Sequence, residues 1–168
     1  MGDVYKEQIV AKKTSAREVL TRTGIIIAAL AVAILVMLLA PGILPMVCVL
    51  LVILVYYLFS YLVVEFEYIF TNGDLDIDII YSKSRRRRVF TGSAKSFEAF
   101  ATLKDAAHSG QFGQTAGTKC YASSKAAENA YAFISTYKGK RLKVIFEPNE
   151  TIMTAMNPFL GQNRIRTR

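Results

Sequence analysis

No Asp, Glu, Lys, Arg or His occurs between Thr23 and Val64. As one helix, those 42 residues would run ~63 Å at ~1.5 Å per residue. The hydrocarbon of a bilayer is only ~30 Å thick and takes ~20 residues to cross. The run must break near its middle, and Pro41-Gly42 lies there. The pattern predicts a transmembrane hairpin over 23–64, with spans at 23–40 and 43–64. A cleaved signal peptide would show an apolar core of only ~7–15 residues before small residues at a cleavage point. The run here is longer, and Pro41 follows Ala40 directly. Position 6 is Lys, so the N-terminus lacks the Ser or Thr of a myristoylation signal.

Charge orients the hairpin. Lys6, Lys12, Lys13, Arg17 and Arg22 precede it, the remaining basic residues follow it, and the Pro41-Gly42 turn has no charge. The positive-inside rule then predicts a multi-pass protein of the cell membrane with both termini cytoplasmic. Tyr56, Tyr57, Phe59 and Tyr61 cluster at the end of the second span, where an aromatic belt belongs. No ionisable residue within the spans offers a proton relay or ion site.

The sequence divides into a cytoplasmic N-terminal segment 1–22, the hairpin 23–64, a soluble domain 65–161 and a basic tail 162–168 that includes Arg164, Arg166 and Arg168. The soluble part suffices for one small core and not for two. Cys48 lies inside the second span and Cys120 in the soluble part, so no disulfide framework is expected and a reducing compartment fits.

Within the soluble part, Asn72-Gly73 stands between two alternating runs, a strong hairpin signal. A two-residue turn there pairs Thr71 with Asp74. The register continues as Phe70 with Leu75, Tyr68 with Ile77, Phe66 with Ile79 and Val64 with Tyr81. These apolar side chains share one face, because strands alternate with period two. Glu65, Glu67, Asp76 and Asp78 fall on the other. Arg88–Gly92 and Ser96–Leu103 read as the next strand pair. Residues 101–130 read as a long loop with a short strand near 118–123. Ala130–Tyr137 and Arg141–Glu147 read as a second hairpin across Lys138-Gly139-Lys140. Asn149 then caps a closing helix with an apolar stripe of Ile152, Met153 and Met156, ended by Pro158 and Gly161.

Two spans followed by Phe66-x-Tyr68-x-Phe70-Thr71-Asn72-Gly73-x-Leu75-x-Ile77 resemble the membrane-anchored bacterial PH-like (pleckstrin-homology-like) proteins. The resemblance covers about Tyr61–Leu160. It implies an α+β membrane protein: a two-helix transmembrane hairpin followed by a small antiparallel β-sandwich or barrel with a C-terminal helix. In lipid-binding PH domains the loop between the first two strands supplies basic residues to phosphates. Here that loop is the tight Asn72-Gly73 turn beside Asp74 and Asp76, which argues against an inositol-phosphate pocket at that place.

Lys83, Arg85, Arg86, Arg87 and Arg88 form the conspicuous basic run. The strand leaving the membrane at Val64 is returned by its hairpin to Tyr81, so the run begins on the membrane side. It is the expected contact for anionic lipid headgroups or a protein partner, each nearby cation adding ~1 kcal/mol at an anionic leaflet. The competing role is pairing with Glu65, Glu67, Asp76 and Asp78, and alternation allows Arg86 and Arg88 one role and Arg85 and Arg87 the other. Lys138, Lys140, Arg141 and Lys143 form a second basic cluster, read as a solvated turn. Without a stacking platform or a second basic stripe, nucleic acid is not an expected partner.

His108 and Cys120 match no catalytic spacing, Asp74, Asp76 and Asp78 lack the turn of a calcium loop, and Gly110–Gly113 is not followed by the Lys-Ser/Thr of a phosphate loop. No enzyme activity, metal or cofactor is expected. The function expected is that of a non-enzymatic, membrane-anchored PH-like module. Alternatives are an accessory subunit of a channel or transporter, joined through small residues such as Ala28 and Ala29, and an enzyme with its site between the spans and the 101–130 loop.

Overall fold

The protein's structure, a computed structural model, describes residues 4–108 and 110–160, apart from the side chain of His108. The expected basic tail 162–168 and Gly161 lie outside the described residues, as does the His108 imidazole. The chain forms two compact units. One holds Lys13–Val64 with Tyr81–Ser84, and the other holds the described residues before, between and after these stretches.

The first unit is a pair of helices, α1 (Ala16–Leu39) and α2 (Leu44–Tyr61). Helix α1 starts seven residues before the uncharged run. Ser15 caps it: the Glu18 N–H donates to Ser15 Oγ (3.3 Å), and the Ser15 N–H donates to Glu18 Oε2 (3.4 Å). It stops before Pro41, because the residue preceding a proline is pushed out of the helical region. Ala40 accordingly sits at φ −150°, and a short 3-10 turn, Pro41–Ile43, reverses the chain. Helix α2 ends at Tyr61, short of the expected 64, because Val64 already begins a strand. Both helices are long and apolar enough to cross a membrane, and no residue of either is fully buried.

The second unit consists of two four-stranded sheets and a closing helix. The first sheet has the order β1 (Tyr5–Ala11), β2 (Val64–Thr71), β3 (Asp74–Tyr81) and β4 (Arg85–Ser93). β1 runs antiparallel to β2, from Tyr5 opposite Thr71 to Ala11 opposite Glu65. A strand within residues 1–22 was not expected, and it places the helical hairpin between two neighbouring strands of one sheet. The β2–β3 turn and strand ends are those the Asn72-Gly73 signal predicts. Asn72 (φ 50°) and Gly73 (φ 103°) have the two positive φ values that suit the twist of a two-residue hairpin.

The second sheet has the order β5 (Ala99–Thr102), β7 (Tyr131–Tyr137), β8 (Lys140–Phe146) and β6 (Gly117–Cys120). β4 and β5, expected as a pair, belong to different sheets. A 3-10 turn at Ala94–Ser96 carries the chain from one to the other, with Phe97 packed flat on Phe133 of β7 at 4.1 Å. β6 lies parallel to β8, so the expected all-antiparallel arrangement does not hold there. The expected long loop contains helix α3 (Leu103–His108) and β6. The sheets stay separate, so the barrel is not closed.

Aromatic rings fill the space between the sheets. Tyr68 meets Phe146 at 5.6 Å, and Phe133 meets Phe90 at 5.1 Å and Phe146 at 5.4 Å. Burying each such ring contributes ~1.5–3 kcal/mol. The Tyr68 hydroxyl donates to Tyr121 O and accepts from the Glu147 N–H, and burial raises its pKa. Helix α4 (Glu150–Leu160) is capped by Asn149 Oδ1, which accepts from the Ile152 N–H, and it buries Ile152, Met153, Met156 and Leu160. Pro158 lies inside α4 instead of ending it. The last turn is held by Leu160 in the core and by Phe159 against Phe70 at 5.7 Å.

Candidate functional site

The acidic residues of the first hairpin do not form a simple solvated face. Glu67 has no solvent exposure and Asp78 is buried. The basic run opposite them splits by alternation. Arg88 grips Asp78 with Nε at 2.8 Å from Oδ1 and Nη2 at 3.3 Å from Oδ2, while Nη1 donates to Asp76 Oδ2 at 2.7 Å. Arg86 Nη2 lies 3.1 Å from Glu67 Oε1. Arg85 and Arg87, between and beside them, are exposed and make no ion pair among the described residues. The strand period thus assigns Arg86 and Arg88 to holding the sheet face together and leaves Arg85 and Arg87 outside that network.

Strand β1 completes this face. Its Tyr5 hydroxyl donates to Glu7 Oε2 at 2.8 Å, and the Glu7 carboxyl approaches Glu67. Burial, then the Glu7 carboxyl, raises the pKa of Glu67, and Arg86 opposes the rise. Hydrogen bonds from Tyr5 and Glu67 lower the pKa of Glu7. Two facing carboxylates have no donor between them unless one holds a proton, and Glu67 is the one its surroundings favour for it. Sequence reasoning missed Glu7 because YKEQIVA shows no clean alternation.

Lys83 belongs to a different place, the helical unit. The turn Tyr81–Ser84 is fastened to the end of α2: the Ser82 N–H donates to Val63 O at 3.0 Å, and Ser82 Oγ donates to Ser60 O at 2.5 Å. Both bonds satisfy carbonyls at the helix end, and Lys83 sets a positive charge where the helix dipole favours one. Ser82 (φ 52°) and Lys83 (φ 57°) adopt the left-handed conformation without being glycine, at a cost of about 1–2 kcal/mol each. The second basic cluster does not act as one patch. Arg141 pairs with Glu98 at 2.6 Å and donates to Gln114 O, while Lys143 lies over the Phe112 ring at 5.3 Å.

Among the described residues, no group of three or more His, Cys, Asp and Glu side chains is placed to hold a metal. Cys120 Sγ lies 3.9 Å from Ser124 O.

A family profile, Bacterial PH-like domain (DUF6106), matches residues 2–166. The chain belongs to this family. The match runs through β1 and both long helices, so in this PH-like domain the helical hairpin is part of the family pattern, not an addition to it. No curated protein and no solved structure matches the chain.

Proposed function

We propose that this PH-like protein is a non-enzymatic membrane module. α1 and α2 cross the cell membrane as a hairpin, the β domain is cytoplasmic, and Arg85 and Arg87 meet the anionic inner leaflet. The pairing of β1 with β2 carries this reading. The hairpin leaves from β1 and returns to β2, which are neighbours in one sheet. Strands on opposite sides of a membrane cannot hydrogen-bond, so the helices between them cross an even number of times. Two crossings are what two helices of 24 and 18 residues supply. The basic flanks favour the cytoplasmic side for both ends.

The leaflet contact is supported by the split of the arginine run. Arg85 follows directly on the turn fastened to the end of α2, and neither it nor Arg87 is used within the fold among the described residues. Two such cations add about 2 kcal/mol of attraction to an anionic surface.

The test uses the full chain. Carbonate washing leaves it in the membrane, and a cysteine replacing Lys125, in a Cys48→Ser, Cys120→Ser background, is labelled by an impermeant thiol reagent in inside-out vesicles and not in intact cells. Labelling from outside, or release by the wash, refutes the topology. In nanodiscs, backbone amides of 85–89 exchange more slowly with phosphatidylglycerol present than with phosphatidylcholine alone, and Arg85→Gln with Arg87→Gln removes the difference. Equal exchange in the two lipids refutes the leaflet contact.

A further inference from the structure

Two cavities of the helical unit share one residue. A groove of about 430 Å³ runs between the helices, lined by Ile26, Ala29 and Ala33 of α1 and by Leu51, Val55 and Tyr56 of α2. A second cavity of about 380 Å³ begins at the same Tyr56 and is bounded by Arg22, Phe59 and the Ser82-Lys83 turn. Arg22, Ile26, Ala29 and Ala33 follow one helix face, so a charge stands at one end of an apolar stripe.

The two cavities differ in chemistry. The groove is apolar throughout. The second is lined by two cationic side chains and, among the described residues, by no carboxylate. Arg22 is the last charged residue before the uncharged run, which puts it at headgroup depth. Its guanidinium carbon lies 5.8 Å from the centre of the Phe59 ring. Its Nε is shut off from solvent and has no hydrogen-bond partner among the described residues. A buried guanidinium nitrogen without an acceptor is incomplete, and a phosphate oxygen is the acceptor that planar donor set fits. Lys83 faces the same cavity from a turn held in a strained backbone conformation by the end of α2.

We infer that the two neighbouring cavities together bind a single phospholipid with an anionic headgroup, its phosphate between Arg22 and Lys83 and one acyl chain in the groove. A free anion would fill only the charged cavity and leave the apolar groove beside Tyr56 empty. A zwitterionic headgroup would bring a cation toward two cations. This site is separate from the Arg85 and Arg87 surface. It rests on the reading that α1 and α2 lie in a bilayer.

The test is a titration of the intact chain in mild detergent, followed by native mass spectrometry, with phosphatidylglycerol and phosphatidylcholine of identical acyl chains. Phosphatidylglycerol binds about tenfold more tightly, because its headgroup lacks the choline cation that Arg22 and Lys83 repel. Arg22→Gln with Lys83→Gln removes the preference, and Arg22→Lys keeps most of it. Ala33→Leu, which narrows the groove, weakens both lipids together. Millimolar inorganic phosphate does not displace the lipid. Equal binding of the two lipids by the unaltered chain overturns the site without any variant having to fold. Displacement by inorganic phosphate overturns the lipid as occupant. A chain that resists carbonate washing yet shows no lipid preference has lost this site alone, whereas release by the wash removes the membrane reading itself.

Discussion

Arg86 covers Glu67, with Nη2 3.1 Å from Oε1, and the carboxyl beneath it has no contact with solvent. An arginine of the edge strand β4 and a glutamate two strands away thus close over the outer face of the first sheet. Glu7 of β1 completes the cluster from the opposite edge.

Arg86→Ala strips Glu67 of its countercharge. The loss is about 1–3 kcal/mol at pH 7, the range for leaving a buried polar group without its partner. Chemical denaturation of the full chain in detergent measures it. A change within about 0.5 kcal/mol, as for an ordinary surface residue, would contradict the role given to this pair.

Glu67 sets a pH dependence of definite sign. Its folded pKa is raised above the ordinary 4.5 by burial first and by Glu7 second. The folded state therefore holds the proton more tightly than the unfolded one. The stability this supplies is fully present below pH 4.5 and is lost as pH rises through the folded value. Glu67→Gln removes that fall, so the variant's unfolding midpoint changes less than the parent's between mildly acid and neutral pH. Parallel profiles for parent and variant would show that Glu67 is not the group responsible.

Gly73 lies under helix α4. A Cβ added there meets Phe159 Cδ1 at 2.7 Å, and φ is 103°. Gly73→Ala costs about 1–3 kcal/mol from backbone strain alone, with the ring contact in addition. In a Phe159→Ala background the added cost shrinks to the strain. Equal costs in both backgrounds would mean that the ring does not press on the turn.

Gln8 joins β1 to the start of α4, its Nε2 donating to Glu147 O at 3.0 Å and its Oε1 accepting from the Asn149 N–H at 2.7 Å. Gln8→Ala removes both, for about 1–2 kcal/mol in total. Backbone amides of β1 then exchange faster than those of β7. Unchanged exchange in β1 would show that the clasp is dispensable.

Arg88→Lys and Arg85→Lys separate the two kinds of arginine. The fork that holds both Asp76 and Asp78 cannot be copied by an ammonium, so Arg88→Lys costs about 1 kcal/mol. Arg85→Lys stays within about 0.5 kcal/mol, as expected for an exposed residue outside any pair. Equal costs for the two would contradict the alternation.

Much of this molecule was decided by local chemistry and was legible in the chain alone. The uncharged run and Pro41 dictate two helices and a break, because proline acts on its own neighbours. Asn72-Gly73 dictates a tight hairpin and Lys138-Gly139-Lys140 a second one, in which Lys140 already pairs with Tyr137, since positive φ is a property of the turn residues themselves. The periodic stripe of α4 and its Asn149 cap are equally local. What only the folded chain decided are pairings between distant segments. β1 has no alternation to announce it, and it is a strand because β2 offers it an edge. Glu67 looks like any exposed glutamate on a strand, and becomes a buried one because Glu7 and Arg86 arrive from strands on either side. Arg22 and Lys83 are 61 positions apart, and they share a cavity only because a serine turn is fastened to the end of α2. Turn and helix preferences depend on a few adjacent residues, whereas burial and ion pairing depend on which surfaces the tertiary fold brings together.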